Sequence, residues 1–384
     1  MIRRMWLALL ALSLTAPAWA GEGPNIVKTV KDDGGWRLIV DGKPTMVFGM
    51  NWDYIPIGQN YAWVLWHQPD DVIKEALQGE MALLKAMGIN AIRQYNDIPT
   101  KWVEWIFDTY GIYTIVNHTA GRYGFEVNGA WIGQTDYSDE ATRAAIKADV
   151  AKMVEKYKGT RGVLMYLLGN ENNYGLTWTS FEAEQLPSGE SASGVPLYTL
   201  FGELATLIKQ GDQNHPIALA NGDLGYIGLI AKYGKDIDIM GANVYRGASS
   251  RDLFDRVSKE LDKPFVYSEF GADAYNARTE REDANAQAYY LREQWREIYE
   301  QSHGRGKSGV AIGGMIFQWS DGWWKHKQVE RLDVQDNTAT WSTGAYPHDF
   351  VEGQFNMNEE WFGIAAKDPG DARGIHSVRP RTAY

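Results

Sequence analysis

Cysteine is absent from the 384 residues of this chain, which excludes disulfides, thiol catalysis and cysteine-ligated metal sites. Positive charge is also scarce, because 38 lysines and arginines stand against 49 aspartates and glutamates, for a formal net charge of −11. An acidic chain is a poor partner for nucleic acid or an anionic membrane surface, so we expect neither. Beyond the N-terminus, no stretch reaches the roughly 20 apolar residues that span a bilayer.

The first twenty residues have the pattern of a secretory signal. Two arginines precede a short apolar stretch at Leu7–Leu14, and Ala18-Trp19-Ala20 fits the small-residue rule for cleavage. The apolar stretch is too short for a transmembrane anchor, and no cysteine follows it that could carry a lipid. We therefore expect removal of residues 1–20, a single domain over residues 21–384, and a periplasmic or secreted protein. The oligomeric state stays open.

The rest of the chain alternates short apolar runs with longer amphipathic segments. Trp36–Val40, closed by the turn residues Asp41-Gly42, predicts a hairpin that leads into a strand at Thr45–Met50. Seven more strands are predicted at Asn90–Gln94, Ile112–Val116, Gly162–Leu168, Pro216–Ala220, Ile237–Asn243, Pro264–Tyr267 and Gly309–Gln318. Helices are predicted between them at Asp70–Met87, Thr100–Tyr110, Asp139–Tyr157, Leu197–Lys209, Ile227–Tyr233, Arg251–Leu261 and Glu282–Gln301.

Eight alternating units predict an α/β fold, a closed (β/α)8 TIM barrel with an N-terminal hairpin. A long loop is expected after the eighth strand, at Asp321–Phe362, where no helical pattern is visible. The alternative is an open doubly wound sheet, but no glycine-rich dinucleotide motif follows the first predicted strand.

Aromatic residues are abundant, with 16 tryptophans and 21 tyrosines. Such rings stack on the flat faces of sugars, and they also fill large cores, so composition alone leaves both interpretations open. The tryptophans that we regard as candidate sugar platforms are Trp63, Trp66, Trp131, Trp178, Trp323 and Trp324.

Two glutamates follow predicted strands on roughly opposite sides of the barrel. Glu171 comes after the fourth strand and Glu269 after the seventh, at the strand ends where barrel active sites lie. Cleavage of a glycosidic bond needs an acid for the leaving oxygen and a second carboxylate, about 5–5.5 Å away in retaining enzymes. A lone glutamate at a strand end more often pairs with a neighbouring cation, but two at these positions favour catalysis.

The motifs around these glutamates carry a family resemblance. Gly169-Asn170-Glu171 and Ser268-Glu269-Phe270-Gly271-Ala272-Asp273, with Phe48-Gly49-Met50-Asn51 at the barrel entry, resemble clan A glycoside hydrolases. The resemblance is greatest to the TIM-barrel catalytic domain of glycoside hydrolase family 2, which includes β-galactosidases, β-glucuronidases and β-mannosidases. It spans roughly Leu38 to Ser320. Too few residues precede Trp36 for that family's jelly-roll and immunoglobulin-like domains, so the sugar cannot be carried over.

The resemblance implies a retaining β-glycosidase with Glu171 as general acid/base and Glu269 as nucleophile. It also implies that Asn170 contacts the substrate 2-hydroxyl, that Arg93 and Tyr245 orient or bond the nucleophile, and that Trp319 lies under the sugar ring. Further candidates for substrate contact, from their places after strands, are Trp52, His118 and Asn243. Hydrogen bonding or packing within the protein is the alternative for each of these three.

The expected substrate is a β-linked oligo- or polysaccharide, and no cofactor or metal is expected. Gly88–Tyr95 and Val266–Gly271 also resemble fungal-type β-1,3-glucanosyltransferases, which use the same barrel and carboxylates for transfer. Hydrolysis and transglycosylation therefore both stay open. A third hypothesis is a barrel that binds glycan without turnover, which the retention of both glutamates disfavours.

Overall fold

The N-terminal hairpin belongs to a small antiparallel sheet. A computed structural model describes residues 23–95, 97–176, 194–337 and 357–384. The sheet consists of β1 (Val27–Asp32), β2 (Gly35–Val40) and β3 (Lys43–Thr45). Asp41 and Gly42 connect β2 to β3 with positive φ angles of 48° and 78°, as expected of a two-residue Asp-Gly turn. The predicted hairpin is confirmed, and β1 extends it by one strand.

The first half of the chain then alternates strands and helices. The elements are β4 (Val47–Asn51), α1 (Asp70–Met87), β5 (Ala91–Gln94), α2 (Thr100–Tyr110), β6 (Tyr113–His118), β7 (Phe125–Val127), β8 (Ala130–Ile132), α3 (Glu140–Tyr157) and β9 (Val163–Leu168). Both α1 and α2 have their predicted bounds. They end at Gly88 and Gly111, whose left-handed backbones (φ 92° and 69°) close the last helical turn.

The second half continues the alternation. Its elements are α4 (Asn172–Gly175), α5 (Gly194–Gly211), β10 (Ile217–Leu219), β11 (Asn221–Gly222), α6 (Ile227–Tyr233), β12 (Met240–Asn243), α7 (Leu253–Glu260), β13 (Phe265–Phe270), β14 (Tyr275–Asn276), β15 (Arg281–Glu282), α8 (Ala284–Glu300), β16 (Ala311–Ile316), β17 (Ala365–Lys367) and β18 (Val378–Pro380). β13 runs three residues beyond its predicted end at Tyr267, so Glu269 lies within the strand.

The large sheet closes into a parallel barrel. β4 pairs with β5, β5 with β6, β6 with β9, and β9 with β10. β11 pairs with β12, β12 with β13, β13 with β16, and β16 returns to β4. β10 and β11 are two segments of the fifth strand, interrupted at Ala220. The predicted (β/α)8 architecture is confirmed.

The barrel has two apolar regions. Its interior is filled by inward-facing residues such as Ile115, Met165 and Met315, and the small sheet adds Val27 and Leu38 to the same cluster. The β1–β3 sheet therefore covers the end of the barrel from which the strands start, which leaves the opposite end for the active site. A larger cluster lies between the strands and the surrounding helices.

The segment after β16 differs from a simple loop. Residues 321–337 form turns and bends, residues 338–356 and Trp178 lie outside the described residues, and a 3₁₀ turn follows at Glu359–Trp361. β17 and β18 then form an unpredicted antiparallel hairpin at the C-terminus. In the part of the chain that the structure describes, no helix is long and apolar enough to cross a membrane.

Candidate active site

Glu269 is held by three donors at the mouth of the barrel. Arg93 Nη1 lies 2.9 Å from Glu269 Oε1, and the hydroxyl of Tyr95 lies 2.5 Å from the same oxygen. The hydroxyl of Tyr245 donates to Glu269 Oε2 at 2.8 Å. Burial raises the pKa of Tyr95 well above its usual value, so this phenol keeps its proton as a donor. Both carboxyl oxygens of Glu269 are therefore held in fixed positions.

Arg93 is itself fixed on every side. The residue lies on β5 and is completely buried. Its Nε donates to Asn117 Oδ1 at 2.9 Å, and its Nη2 donates to Asn170 Oδ1 at 2.7 Å. Nη1 also lies 3.1 Å from the carbonyl oxygen of Ser268. A buried guanidinium with a partner for each of its three nitrogens keeps one orientation, and this orientation sets the position of Glu269.

Glu171 has a different environment. In the described residues, one hydrogen bond to its carboxyl is present, from Asn243 Nδ2 to Oε1 at 3.0 Å. Burial, followed by the negative charge of Glu269, raises the pKa of Glu171 to about 7. A substantial fraction of the Glu171 side chains therefore carries a proton at neutral pH, as a general acid requires.

The backbone at Glu171 is in the left-handed region, with φ 57°. A residue with a Cβ pays about 1–2 kcal/mol for this conformation. Neighbouring contacts hold it, because Glu171 N donates to Ala220 O at 2.9 Å and Asn170 N donates to Asn172 Oδ1 at 2.8 Å. The turn directs the Glu171 side chain to the mouth rather than along the following short helix α4.

Asn170 and Asn243 join the two glutamates into one network. Asn243 Nδ2 lies 3.1 Å from Asn170 Oδ1 and also bonds Glu171, while Asn170 Oδ1 accepts from Arg93. Ser268 Oγ donates to Asn243 Oδ1 at 2.7 Å. The amide of Asn170 donates to the hydroxyl of Tyr123 at 2.6 Å. Six predicted residues thus meet at this mouth: Arg93, Asn170, Glu171, Asn243, Tyr245 and Glu269.

Two predicted substrate contacts lie elsewhere. Trp52 is fully buried on the outer side of β4, where its Nε1 donates to Glu80 Oε2 at 2.6 Å, so it has no surface for a sugar to touch. Both ring nitrogens of His118 have partners: Nε2 lies 3.1 Å from Asp149 Oδ2, and Nδ1 lies 3.1 Å from Ala120 N. In this structure, these two side chains support neighbouring elements of the fold.

The predicted aromatic Trp319 is also fully buried, and its ring packs 6.3 Å from that of Tyr384. The ring that borders the Glu269 side of the mouth belongs to Phe317, which meets the ring of Tyr245 edge-on at 6.3 Å. Met315 faces the barrel interior, and a period of two continues that side to Phe317. This alternation is the signal that could have identified Phe317.

Three further residues at the mouth were missed from the sequence. Tyr95 follows Arg93 by two residues and so continues the same side of the strand, a spacing that could have revealed it. Lys325 has its Nζ 3.2 Å from Glu359 Oε1 and lies over the ring of Phe317 at 4.9 Å. Although burial lowers the pKa of Lys325, nearby acids led by Glu359 outweigh it and raise the pKa overall. Tyr123 comes from an excursion after β6, and neither it nor Lys325 has a local sequence signal.

No set of three or more histidines and acids in the described ranges is arranged to hold a metal ion. The geometry instead offers a carboxyl group held by three donors, facing the same mouth as one whose raised pKa favours a bound proton. These two environments are the ones that a nucleophile and a general acid require.

Comparison with solved structures shows the same fold in larger chains. A β-galacturonidase from Eisenbergiella tayi bound to galacturonate has a TM-score of 0.58 at 16% identity, covering 94% of this chain and 52% of that one. A β-glucuronidase from Ruminococcus gnavus in complex with D-glucuronic acid has a TM-score of 0.55 at 18% identity, covering 94% and 50%. The chain thus spans about half the length of these structures. A search of curated proteins finds no match.

A family model gives the assignment that structural likeness at such low identity does not. Residues 70–304 match the model described as "Glycosyl hydrolases family 2, TIM barrel domain". This segment is more than half of the 384 residues and contains both Glu171 and Glu269. With the closed parallel barrel and the paired carboxyl groups at its mouth, the match shows that the chain belongs to glycosyl hydrolase family 2 through its TIM barrel domain.

Proposed function

We propose that this protein is a retaining β-glycosidase that hydrolyses β-linked oligo- or polysaccharides. The observation that carries the proposal is that two carboxyl groups at one barrel mouth have different environments. Glu269 accepts hydrogen bonds from Arg93, Tyr95 and Tyr245, whereas Glu171 is held by Asn243 and its pKa is raised to about 7. Two carboxyl groups in different environments are how glycosidases divide the roles of nucleophile and acid.

In the first step, a carboxylate oxygen of Glu269 attacks the anomeric carbon of the bound sugar. The bond from that carbon to the leaving oxygen breaks, and Glu171 transfers its proton to the leaving oxygen. The products of this step are a glycosyl ester on Glu269 and an ionised Glu171. Because Glu269 is held in one position, less entropy is lost when the reacting atoms reach the geometry for attack.

In the second step, the ionised Glu171 removes a proton from water, and the water oxygen attacks the anomeric carbon. The ester bond breaks and returns the electron pair to Glu269. Esterification removes the negative charge of Glu269, which is one cause of the high pKa of Glu171. The pKa of Glu171 therefore falls after the first step, and the same residue becomes a base.

An acceptor sugar in place of water would give transglycosylation by the same two steps. The experiment must also identify the sugar at the cleavage site. The two solved structures named above contain galacturonate and D-glucuronic acid. Lys325 supplies a cation near the mouth, although Glu359 already pairs with it. A substrate panel should therefore contain neutral and acidic sugars.

The proposal is tested by incubating residues 21–384 and the matched Glu269→Gln variant with β-glucans, β-galactans, β-mannans and β-linked uronic acid oligomers. Products are followed by mass spectrometry. Shortened chains from the wild type alone support hydrolysis and identify the sugar, and lengthened chains support the transglycosylase. A glycan that the wild type binds but never converts would overturn the catalytic proposal in favour of a binding barrel.

We also propose that the mature chain is exported, because residues 1–20 have a charged start, a short apolar stretch and a small-residue exit. These residues lie outside the described ranges. The full chain should be expressed in a bacterium with an outer membrane, followed by cell fractionation and N-terminal sequencing. Export predicts a protein that begins at Gly21 in the periplasm or medium, while an intact Met1 in the cytoplasm would refute it.

A further inference from the structure

We propose that Trp131 and Tyr123 form a binding platform for the sugar units on the leaving-group side of the substrate. The platform lies in the excursion between β6 and α3, residues 119–139, which we call the β6–α3 segment. The inference rests on the proposed function of Glu171 and specifies it, because it makes the preferred substrate an oligosaccharide longer than the sugar that is cleaved.

Exposure singles out these two rings. Trp131 is 68% exposed and Tyr123 is 58% exposed, the highest values for any aromatic side chain in the described residues. An indole ring exposed to water on a short hairpin costs free energy that burial of the ring would avoid. Both rings come from the same segment, which follows a strand at the carboxyl end of the barrel, where ligands bind.

Hydrogen bonds fix the segment to the motif of the general acid. Asn170, directly before Glu171, donates to the Tyr123 hydroxyl at 2.6 Å. Asn172, directly after it, donates to Thr119 O at 2.9 Å and to the Tyr137 hydroxyl at 2.8 Å. The segment is therefore fastened on both sides of Glu171, and its position relative to that carboxyl is preset.

Trp131 is held beside Tyr123 by close packing on Gly124. An added Cβ at Gly124 would lie 2.7 Å from Trp131 Cζ2 and 2.8 Å from Ile132 O, so only glycine permits this contact. The backbone of Gly124 is also in the positive region, with φ 102°. One side of the indole thus rests on backbone while most of its surface faces solvent, as a ring that stacks on a sugar requires.

The chemistry of the proposed reaction decides which sugar the platform would meet. A general acid protonates the leaving oxygen, so the leaving sugars depart past Glu171, whereas the cleaved sugar stays over Glu269. The platform is attached to the Glu171 motif through the hydrogen bonds of Asn170 and Asn172. Aromatic rings recognise the apolar C–H face of a sugar without regard to charge, and this suits the second and later units of a chain.

The test compares two substrates of the same sugar. A β-glycosyl fluoride has a leaving group too small to reach Trp131, whereas a β-linked trisaccharide extends over the platform. For Trp131→Ala we expect kcat/KM on the fluoride within twofold of wild type and kcat/KM on the trisaccharide lower by at least tenfold. Unchanged fluoride turnover also shows that the variant is folded. Ile132→Ala, the next residue of β8 and also exposed, is the matched control and should leave both values unchanged.

Equal kcat/KM on the trisaccharide for wild type and Trp131→Ala would overturn the platform while leaving the proposed function intact. Failure of the proposed function is recognised separately, by wild-type protein that turns over neither substrate. In that case, calorimetric binding of cellotriose, laminaritriose and β-1,4-mannotriose to the Glu269→Gln variant, with and without Trp131→Ala, decides the question. Tenfold weaker binding in the double variant supports the platform, and unchanged or absent binding refutes it.

Discussion

The guanidinium of Arg93 holds the carboxylate of Glu269, with Nη1 2.9 Å from Oε1, and both side chains are almost completely buried. The two residues come from β5 and β13, which are separated in the barrel by β4 and β16. Burial makes an ion pair costly unless further hydrogen bonds offset the lost hydration, and Asn170, Asn117 and Tyr245 supply such bonds here. The ion pair therefore belongs to a network that positions the carboxyl group of Glu269 rather than one that mainly stabilises the fold.

Removing one donor from this network should reduce catalysis without unfolding the protein. Tyr245→Phe deletes the bond to Glu269 Oε2, and a hydrogen bond to a charged group is worth about 1.5–3 kcal/mol. We expect kcat to fall by about 10- to 100-fold on the substrate found in the panel. Tyr166→Phe is the control, since it removes a hydroxyl that bonds Asp212 instead. It should lower Tm while kcat stays constant, and the reverse pattern would contradict the assignment.

Glu171→Ala should discriminate between leaving groups. Loss of the general acid lowers kcat/KM on an oligosaccharide by about 10²–10⁴-fold, because the leaving alkoxide then departs without a proton. A β-glycosyl fluoride needs no such proton, so formation of the glycosyl-enzyme should stay within tenfold of wild type, and azide should speed its breakdown. Stopped-flow release of fluoride measures the first step. Equal losses on both substrates would show that Glu171 is not the acid.

The pH dependence follows from the raised pKa of Glu171. A carboxyl with a pKa of about 7 is protonated below that pH and ionised above it, so the active acid is lost as pH rises. We expect kcat/KM on an oligosaccharide to be constant below about pH 6 on this limb and to fall tenfold per pH unit above 7. Initial rates from pH 5 to 9 measure the profile, and the fluoride substrate should lack the alkaline fall in its first step.

Stability should depend on a second buried ion pair that ties the C-terminus to the barrel. Arg381, after β18, binds Asp321 with two contacts of 2.7 Å, and both side chains are buried. Asp321→Ala leaves that cation without its main partner, and we expect a loss of about 3 kcal/mol in the free energy of unfolding. Thermal and urea denaturation measure it.

The matched control is Arg373→Ala, which breaks a pair with Glu75 in which each side chain is about half exposed. Exposed pairs contribute less than about 1 kcal/mol, so Tm should barely move. Similar effects from the two substitutions would mean that the C-terminal hairpin is not stabilised by the buried pair.

Local pattern was enough to place the strands and helices of the barrel. The bounds of α1, α2 and α6 agree with the prediction, because apolar spacing and a terminal glycine act within one or two turns of helix. The end of β13 was predicted three residues too early. The strand extends to Phe270, because it pairs with a parallel neighbour on each side beyond the apolar run. The C-terminal hairpin of β17 and β18 has strands of three residues each, too short to show a period.

Trp52 and Trp319 show where strand-end reasoning fails. A residue just past a strand can turn to either face, and both indoles lie in the cluster between barrel and helices rather than at the mouth. Alternation would have separated Trp52 from Asn51, whose amide does face inward and bonds Ser268 O at 3.0 Å. The alternation that leads from Met315 to Phe317 does not extend to Trp319, which lies beyond the end of β16, so Trp319 could be placed only by its packing.

By itself the sequence determined the alternating barrel, the family and the two glutamates, because periodicity, glycine caps and short motifs are encoded over a few neighbouring residues. Only the tertiary structure decided which partners surround those glutamates. Tyr95, Tyr123 and Lys325 reach the mouth from segments far apart in the chain, and their distances depend on barrel closure and loop packing. The raised pKa of Glu171 has the same origin, since burial and through-space charge have no signature in local sequence.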